Sequence, residues 1–351
     1  MRSKPITSQD VARRAGVSRA TVSLVLNQVE SAQISPETAQ RVFQAAQELN
    51  YVPVAAAQAL VSRRSQCIGL VLSRQRHNIG SDVVLNHMIE SVLDTLHPAG
   101  MRLMIDVVED FFDHDSYLKL VRSRQVDGII LCGPRFDDEA LGRLMDDGFP
   151  TVLIGRLPGS PVYSVDIDNV AAAREATAHL ISLGRRRIAC ITNAQPIYAA
   201  SIDRLEGYRQ ALEAASIPFD DCLVRYGNYV PESGYEQMLS LLDSGQEFDA
   251  VFIASDVVAI GALAALRERG LNVPEDVAVM GFDDVPQASY TSPPLSSIHL
   301  PFEQITRQAT EALLAIISDR PPPERQKVLP FKLVVRQSCG GLTQPVRLGG
   351  A

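Results

Sequence analysis

The sequence predicts a small all-α domain at the N-terminus and a large α/β core with two parallel-sheet lobes. The first 50 residues show helical periodicity only, whereas from Ile68 onward short apolar strands alternate with helical stretches. Alternation on this scale is typical of parallel βαβ sheets with helices on both faces. More than 270 residues follow Ile68, which is large for a single sheet and favours two lobes.

The composition of the 351-residue chain is that of an ordinary globular protein, with 46% hydrophobic and 21% charged residues. A largely disordered or collagen-like chain is therefore excluded. No apolar window reaches the ~18 residues of a membrane helix, and the N-terminus lacks the apolar segment of a signal peptide. Five scattered cysteines without a C-x-x-C pair argue against a disulfide framework and a zinc ribbon. We expect a cytoplasmic protein that has no membrane partner.

The charge is distributed unevenly along the chain. The net charge is −8 overall, yet residues 1–66 hold eight Lys or Arg and four Asp or Glu, a net charge of +4. The remaining residues carry −12. A basic segment on an acidic body indicates that only the N-terminal part meets a polyanion.

The clearest motif lies at Thr7–Asn27, where a glycine-containing turn joins two short helices. Thr7 and Asp10 have the spacing of a capping box, Gly16 suits the left-handed turn after a helix, and Ser18 caps the second helix. Such a helix–turn–helix places its second helix in the major groove of DNA. The alternative is a plain αα-hairpin of a helical domain, but the cap–Gly–cap spacing and the basic charge favour a DNA-binding helix–turn–helix.

The first residues of the second helix are the predicted base readers. Arg19 suits bidentate bonds to guanine O6 and N7, and Ala20 offers only an apolar contact to a thymine methyl group. The short polar side chains of the motif suit phosphate contacts. The predicted DNA-binding residues of this motif are Thr7, Ser18, Arg19, Ala20, Thr21, Ser23 and Asn27.

A third helix begins at Ser35-Pro36-Glu37, and a short Ala-rich segment at 54–61 reads as a linker. The predicted strands of the core are 68–72, 103–108, 128–132, 151–154, 187–192, 250–254 and 277–282. The predicted helices of the core are 85–98, 138–147, 169–183, 203–215, 233–243, 256–268 and 302–318. The predicted divisions are a headpiece at 1–52, a hinge and linker at 53–66, a core at 67–340 and a loose tail at 341–351.

The headpiece carries T-S-Q-D-V-A-R-R-A-G-V-S-R-A-T-V-S-L-V-L-N, with S-P-E-T and E-L-N-Y-V-P downstream. This pattern closely resembles the headpiece of the lactose-repressor (LacI-type) family. The resemblance continues in the core in the family's order, with V-D-G-I-I from Val126, D-R-L-E-G-Y from Asp203, S-D at Ser255, V-M-G-F-D-D from Val279 and P-P-L-S-S-I from Pro293. Each core landmark is weak by itself, but their order makes the combination specific.

The resemblance implies a ligand-controlled repressor that binds palindromic double-stranded operator DNA as a homodimer, with a tetramer as the alternative. It implies a hinge helix and a two-lobed core like that of periplasmic sugar-binding proteins. Lobe one would take about 67–165 and 298–325, and lobe two 166–297 and 326–340. Ala57 and Leu60 match hinge positions at the minor groove, where Leu60 would open a base step. Val54 departs from the usual asparagine cap and Gln58 from a basic residue, so the hinge helix would depend more on DNA or on the dimer partner.

The resemblance also implies a small-molecule effector, and the side chains at its positions suit a sugar. Arg204 and Asp283 match positions that bind effector hydroxyls, and Tyr229 matches an aromatic position that covers a sugar face. Tyr198, Ser73 and Ser255 are further candidates at strand ends. Gly155 stands where some members carry an acid, and the adjacent Arg156 would meet either an acidic or phosphorylated effector or the carboxylate of a surface ion pair.

Enzyme motifs give little support to a catalytic function. The chain lacks G-x-G-x-x-G, P-loop, H-E-x-x-H and G-x-S-x-G patterns, and its six histidines are spread without metal-ligand spacing. Of the adjacent Asp283 and Asp284, we expect one to be a ligand and the other structural. We predict no cofactor, no metal and no catalytic residue. A solute-binding protein is disfavoured by the headpiece, and a sugar-modifying enzyme with a DNA-binding head remains the alternative, which an assay for product formation would reveal.

Overall fold

The structure is a computed structural model that describes residues 6–26, 33–52, 64–73, 83–108 and 117–341. The N-terminal part holds three helices, α1 (Ser8–Ala15), α2 (Arg19–Leu26) and α3 (Pro36–Glu48). Their apolar faces form one small core of Val11, Ala12, Ala15, Val22, Val25, Val42, Ala45 and Ala46. These residues recur at helical spacing, which is why the sequence alone located the three helices.

The core alternates strands and helices. Its strands are β1 (Cys67–Leu72), β2 (Arg102–Val107), β3 (Gly128–Cys132), β4 (Thr151–Ile154), β5 (Tyr163–Ile167), β6 (Ile188–Thr192), β7 (Val224–Tyr226), β8 (Ala250–Ile253), β9 (Ala278–Met280), β10 (Ser297–His299), β11 (Gln326–Leu329) and β12 (Lys332–Val334). Its helices are α4 (Val83–Leu96), α5 (Leu118–Arg122), α6 (Glu139–Asp146), α7 (Asn169–Ser182), α8 (Ala199–Ala214), α9 (Pro231–Asp243), α10 (Asp256–Glu268) and α11 (Phe302–Ile317). Within the described residues, short 3-10 helices lie at His97–Ala99, Asp221–Leu223 and Pro286–Tyr290.

Two parallel sheets form the two lobes of the core, as the sequence predicted. The first sheet has the order β11-β5-β4-β3-β1-β2, and the second has the order β7-β6-β8-β9. All pairings within both sheets are parallel. Helices α7 and α8 pack together on the second sheet, and so do α9 and α10, while α4 and α11 pack together on the first.

The seven predicted strands are all present, but five further strands were missed. These are β5, β7, β10, β11 and β12. In β5 the polar residues Ser164 and Asp166 are buried, so an apolar pattern does not mark it. The edge strand β11 exposes three of its four residues, and β10 pairs with β12 as a separate antiparallel ribbon.

The chain crosses between the lobes three times, after β5, between β10 and α11, and between β11 and β12. The predicted division of the lobes differs from the sheets by two residues at the end of β5 and by a whole strand further along the chain. Residues 326–329 were assigned to lobe two, but they form β11, which pairs with β5 in the first sheet from Gln326↔Ser164 to Leu329↔Ile167. The third crossing therefore lies between Leu329 and Lys332.

Some predictions fall outside the described residues. Asn27 and the hinge positions Ala57 and Leu60 are among them, as is the tail after Gly341. All five cysteines lie in the described part and are free thiols. In the part of the chain that the structure describes, no helix has the length and apolar character that a membrane crossing requires.

Candidate functional site

The helix–turn–helix is held together by caps at both of its helices. The hydroxyl and the amide of Thr7 both donate to Asp10 Oδ2, at 2.7 and 3.0 Å. Gly16 adopts the left-handed conformation with φ 66°, and the Thr21 amide donates to Ser18 Oγ at 3.0 Å. The capping box, the turn glycine and the second cap therefore lie where the sequence predicted them.

The predicted base readers lie on the outer side of this motif. Ser18, Arg19 and Ala20 are exposed, as is Thr7, whereas Thr21 and Ser23 are half-buried. The Arg19 Nε–H donates a hydrogen bond to Ser8 Oγ at 3.1 Å. The guanidinium group of Arg19 therefore lies beside the start of α2. The exposed N-terminus of α2 is the part that enters the major groove in helix–turn–helix proteins.

A cavity of about 100 Å3 lies where the carboxyl ends of the strands of both lobes converge. Open parallel sheets bind ligands at this edge. The first lobe contributes, among others, Met88, Gly133, Gly155, Asp166 and Phe302. The second lobe contributes, among others, Asn193, Arg204, Tyr229, Ser255 and Asp283. Four of the six predicted effector residues therefore line one cavity between the lobes.

A larger groove of about 880 Å3 opens at the opposite edge of the first sheet, beside Arg64 and Arg102. It includes none of the predicted effector residues. Because the groove lies at the amino-terminal ends of β1 and β2, the topology favours the smaller cavity as the ligand site.

Arg204 is the central polar group of the cavity and is 8% exposed. Its Nε donates to Asn169 Oδ1 at 2.9 Å, and its Nη1 donates to the Ala254 carbonyl oxygen at 2.7 Å. Nη1 also lies 3.4 Å from Asp283 Oδ1, and the guanidinium stacks 3.9 Å from the centre of the Phe282 ring. These contacts fix the guanidinium before any ligand arrives.

Asp166 and Asn169, which the sequence analysis missed, extend this network into the first lobe. Asn169 Nδ2 donates to Asp166 Oδ2 at 2.9 Å, so a continuous chain of contacts runs from β5 through α7 to Arg204. Burial raises the pKa of Asp166 to about 6, although the Ile167 amide, the Arg204 charge and Asn169 act in the opposite direction. The D-I-D-N sequence at residues 166–169, which spans the end of β5 and the start of α7, was the available signal, but it is equally typical of a helix cap.

The side chains of the adjacent Asp283 and Asp284 have different surroundings. Asp283 lines the cavity and has φ 112°, a region that non-glycine residues rarely adopt. Asp284 lies outside this cavity lining. Its Oδ1 accepts a hydrogen bond from Arg336 Nη2 at 2.7 Å, and its Oδ2 lies 3.0 Å from His299 Nδ1.

Asp256 holds the loop that carries both aspartates. Its carboxylate accepts from the amides of Phe282 and Val285 and from the Ser297 hydroxyl, at 2.8 to 3.0 Å. Burial raises the pKa of Asp256 well above its usual range, and the nearby Asp283 charge adds to the effect. Asp256 was missed as a functional residue, because in the sequence it is only the second residue of a weak S-D landmark.

The predicted aromatic residues have different places. Tyr229 lines the cavity, and its ring meets the ring of Tyr198 edge-on at 5.7 Å. Tyr198 and Ser73 do not line it. Instead, the Tyr198 hydroxyl donates to the Ser73 carbonyl oxygen at 2.9 Å, and both residues are buried. This pair joins the two lobes, so neither residue lines the cavity in this structure, and their role at the ligand stays a prediction.

Arg156 also lies away from the cavity lining. Burial raises the pKa of Asp203, and the charges of Arg156 and Arg204 oppose this shift. Of the two predicted partners for Arg156, this placement favours the nearby carboxylate over an acidic effector. Gly155 does line the cavity, with φ 110°.

Among the described residues, no group of three or more His, Cys, Asp or Glu side chains is placed to hold a metal ion. The polar groups at the cavity are an arginine, aspartates, amides and hydroxyls. This set suits hydrogen bonding to a small polar ligand.

Comparison with known proteins places this architecture in a family. Residues 7–54 match the family model described as "Bacterial regulatory proteins, lacI family", and residues 177–339 match that of a "Periplasmic binding protein-like domain". The HTH-type transcriptional regulator CelR of Thermobifida fusca is 38% identical over 335 residues, which cover 95% of this chain and 98% of that protein.

Two solved structures share the fold over nearly the whole chain. The transcriptional regulator CelR–cellobiose complex has a TM-score of 0.73 at 36% identity, covering 95% of this chain and 99% of that chain. The Lac repressor dimer bound to operator and the anti-inducer ONPF has a TM-score of 0.82 at 27% identity, covering 96% and 99%. Relatives named as regulators do not support the alternative of a sugar-modifying enzyme. The chain belongs to the LacI family of bacterial regulatory proteins and is a DNA-binding transcriptional regulator.

Proposed function

We propose that this regulator is a dimeric repressor whose affinity for a palindromic operator is set by a sugar or sugar derivative bound between the lobes. The observation that carries the proposal is the cavity at the strand ends, where Arg204, Asp283, Ser255 and Tyr229 meet. The similar CelR structure holds cellobiose, which supports a carbohydrate as the class of effector. Because the partner is DNA, we propose the cytoplasm as the place of action.

The chemistry of the cavity favours a neutral polyol. Arg204 already donates to Asn169, Ala254 and Asp283, which reduces its capacity to bind an anionic group. Asp283 and Asp166 present carboxylate oxygens, which accept hydrogen bonds from hydroxyl groups. Tyr229 supplies an aromatic ring at the wall, as suits the C–H face of a sugar. A phosphate or carboxylate would instead face two carboxyl groups.

The cavity is smaller than the proposed effector. Pockets for ligands of drug size occupy roughly 300–1,000 Å3, whereas this one measures about 100 Å3. We infer that the two lobes change their separation along the cleft when a disaccharide binds. In the proposed dimer this motion changes the distance between the two hinges at 54–61. A segment of eight residues is marginal as an isolated helix, so a small separation is sufficient to release it from DNA.

For DNA binding, we propose that the two headpieces of a dimer bind the two half-sites of one palindromic operator. The similarity to a Lac repressor dimer on operator DNA supports this arrangement. Arg19 would read a guanine in each half-site, with Thr7, Ser18, Thr21, Ser23 and Asn27 at phosphates and Ala20 at a thymine methyl group. Ala57 and Leu60 would lie at the central minor groove. A tetramer is the alternative assembly.

Operator binding with and without candidate sugars tests the proposal. The protein would be titrated onto a palindromic fragment from its own upstream region, with cellobiose and other neutral sugars in separate arms. We expect one sugar to change operator affinity by 5- to 150-fold, the range of about 1–3 kcal/mol of coupling, and operator DNA to change sugar affinity by the same factor. Sedimentation of the free protein reports the dimer. Turnover of the sugar, or an operator affinity that no ligand changes, would contradict the proposal.

A further inference from the structure

Asn193 occupies a place in the cavity that the sequence analysis did not assign. It directly follows β6 at the carboxyl end of the second sheet, is 1% exposed and lines the cavity between the lobes. Its neighbours on the wall include Arg204 and Tyr229. A polar side chain buried to this degree normally has all of its hydrogen-bonding groups paired.

The amide of Asn193 is held in one orientation by Tyr229. Asn193 Nδ2 donates to the Tyr229 hydroxyl oxygen at 3.0 Å, and the Tyr229 amide donates to the Asn193 carbonyl oxygen at 2.9 Å. Tyr229 has φ 58°, a strained conformation that this pairing helps to maintain. With Nδ2 engaged, the direction of the side-chain oxygen is fixed.

The side-chain oxygen of Asn193 is the unusual atom. Oδ1 is buried and has no hydrogen-bond partner among the described residues. A buried acceptor without a donor is costly, and it is retained most readily where a ligand supplies the donor. Thr306 Oγ1 is also buried and unpartnered in the described part, but Thr306 does not line this cavity. Asn193 therefore combines an unmet acceptor with a place in the ligand site.

We propose that Asn193 Oδ1 accepts a hydrogen bond from a hydroxyl group of the effector and selects for a donor at that position. This assignment rests on the proposed function, since it names a residue of the same site. A hydroxyl satisfies Oδ1, whereas a fluorine, an ether oxygen or a carboxylate at the same position places acceptor against acceptor. The residue thus discriminates between sugars by the presence of one hydroxyl.

The test is calorimetric titration of the full-length protein with neutral sugars, cellobiose first, followed by monodeoxyfluoro analogues of the sugar that binds. Asn193→Leu removes the acceptor at similar size, and Thr306→Val is the matched control that removes the other unpartnered oxygen. We expect Asn193→Leu to bind about tenfold more weakly and Thr306→Val to bind like the wild type. One fluorinated analogue is expected to lose about tenfold on the wild type but little on Asn193→Leu.

The outcomes separate this assignment from the proposed function. If the wild type binds a sugar and the folded Asn193→Leu variant binds it within twofold, the assignment is overturned while the proposed function stands. The same holds if every fluorinated analogue binds the wild type as well as the parent sugar, a measurement that does not depend on any variant folding. If the wild type binds no neutral sugar, both the proposed effector class and this role of Asn193 are overturned.

Discussion

Replacement of Asp283 by asparagine tests whether this carboxylate binds the effector or maintains the fold. Asparagine keeps the shape of the side chain and tolerates the positive φ of 112° at this position. The substitution removes one charge from the buried contact with Arg204, whose Nη1 lies 3.4 Å from Asp283 Oδ1. It also removes a like charge beside Asp256.

These two changes have opposite effects on the free energy of unfolding. Breaking a buried ion pair commonly costs about 3–5 kcal/mol, but here Arg204 keeps its contacts with Asn169, Ala254 and the Phe282 ring. The Asp283 charge also raises the pKa of Asp256, so its removal relieves a repulsion. We expect a net stability change below about 1 kcal/mol, which is a melting-temperature shift below about 4 °C.

The effect on effector binding is expected to be much larger. A hydrogen bond to a charged group contributes about 1.5–3 kcal/mol, so Asp283→Asn is expected to weaken effector binding by roughly 10- to 150-fold. Operator affinity without effector is expected to stay near that of the wild type. The assay measures operator affinity by fluorescence anisotropy across an effector titration, together with the melting temperature.

Asp284→Asn is the matched control, because this neighbouring carboxylate pairs with Arg336 and His299 outside the cavity. It is expected to lower stability and leave effector affinity unchanged. A stable Asp283→Asn protein that still responds fully to the effector would refute the ligand role. A variant that loses stability and operator binding together would show that Asp283 is structural.

Four further perturbations follow from the structure and the sequence. Arg19→Ala is expected to cost about 1–3 kcal/mol of operator binding and to relax preference at one base pair per half-site, as measured on a set of operator variants; unchanged affinity and specificity would exclude its place in the groove. Leu60→Ser is expected to reduce operator bending and affinity while effector binding stays intact, and equal bending by both proteins would contradict this. Because the folded pKa of Asp166, about 6, lies above its ordinary value of 3.8, its proton is bound more tightly in the folded state. Its contribution to stability is therefore present below pH ~4 and falls by about 3 kcal/mol as pH rises through 6; in urea unfolding, the unfolding free energy should fall less steeply over this pH range in Asp166→Asn than in the wild type, and equal slopes would contradict the assignment. Gly261→Ala would place a methyl group on the Pro231 carbonyl oxygen where α9 and α10 touch, so we expect a loss of about 1–3 kcal/mol, whereas Gly142→Ala, which meets nothing within 4 Å, should be neutral or stabilising.

The sequence by itself determined the features that depend on neighbours along the chain. The headpiece was predictable because caps, the turn at Gly16 and apolar spacing at 3.6 residues are local signals. Six of the seven predicted strands were predictable because strands buried on both faces read as apolar runs, whereas the edge strand β2 is partly exposed. The resemblance to the LacI family then indicated Arg204, Asp283 and Tyr229, all three of which line one cavity.

Tertiary structure decided which polar groups meet and what each one does. Asp166 and Asn193 lie in different lobes, and only the convergence of strand ends from both lobes brings them to one cavity. Ser73 and Tyr198 also follow strands, but they do not line the cavity. Instead, they form a hydrogen bond with each other. The position of a residue along its strand fixes the edge of the sheet at which its side chain lies. Whether that side chain faces a ligand or a neighbouring residue depends on packing partners that are distant in sequence, and in this protein those partners belong to the other lobe.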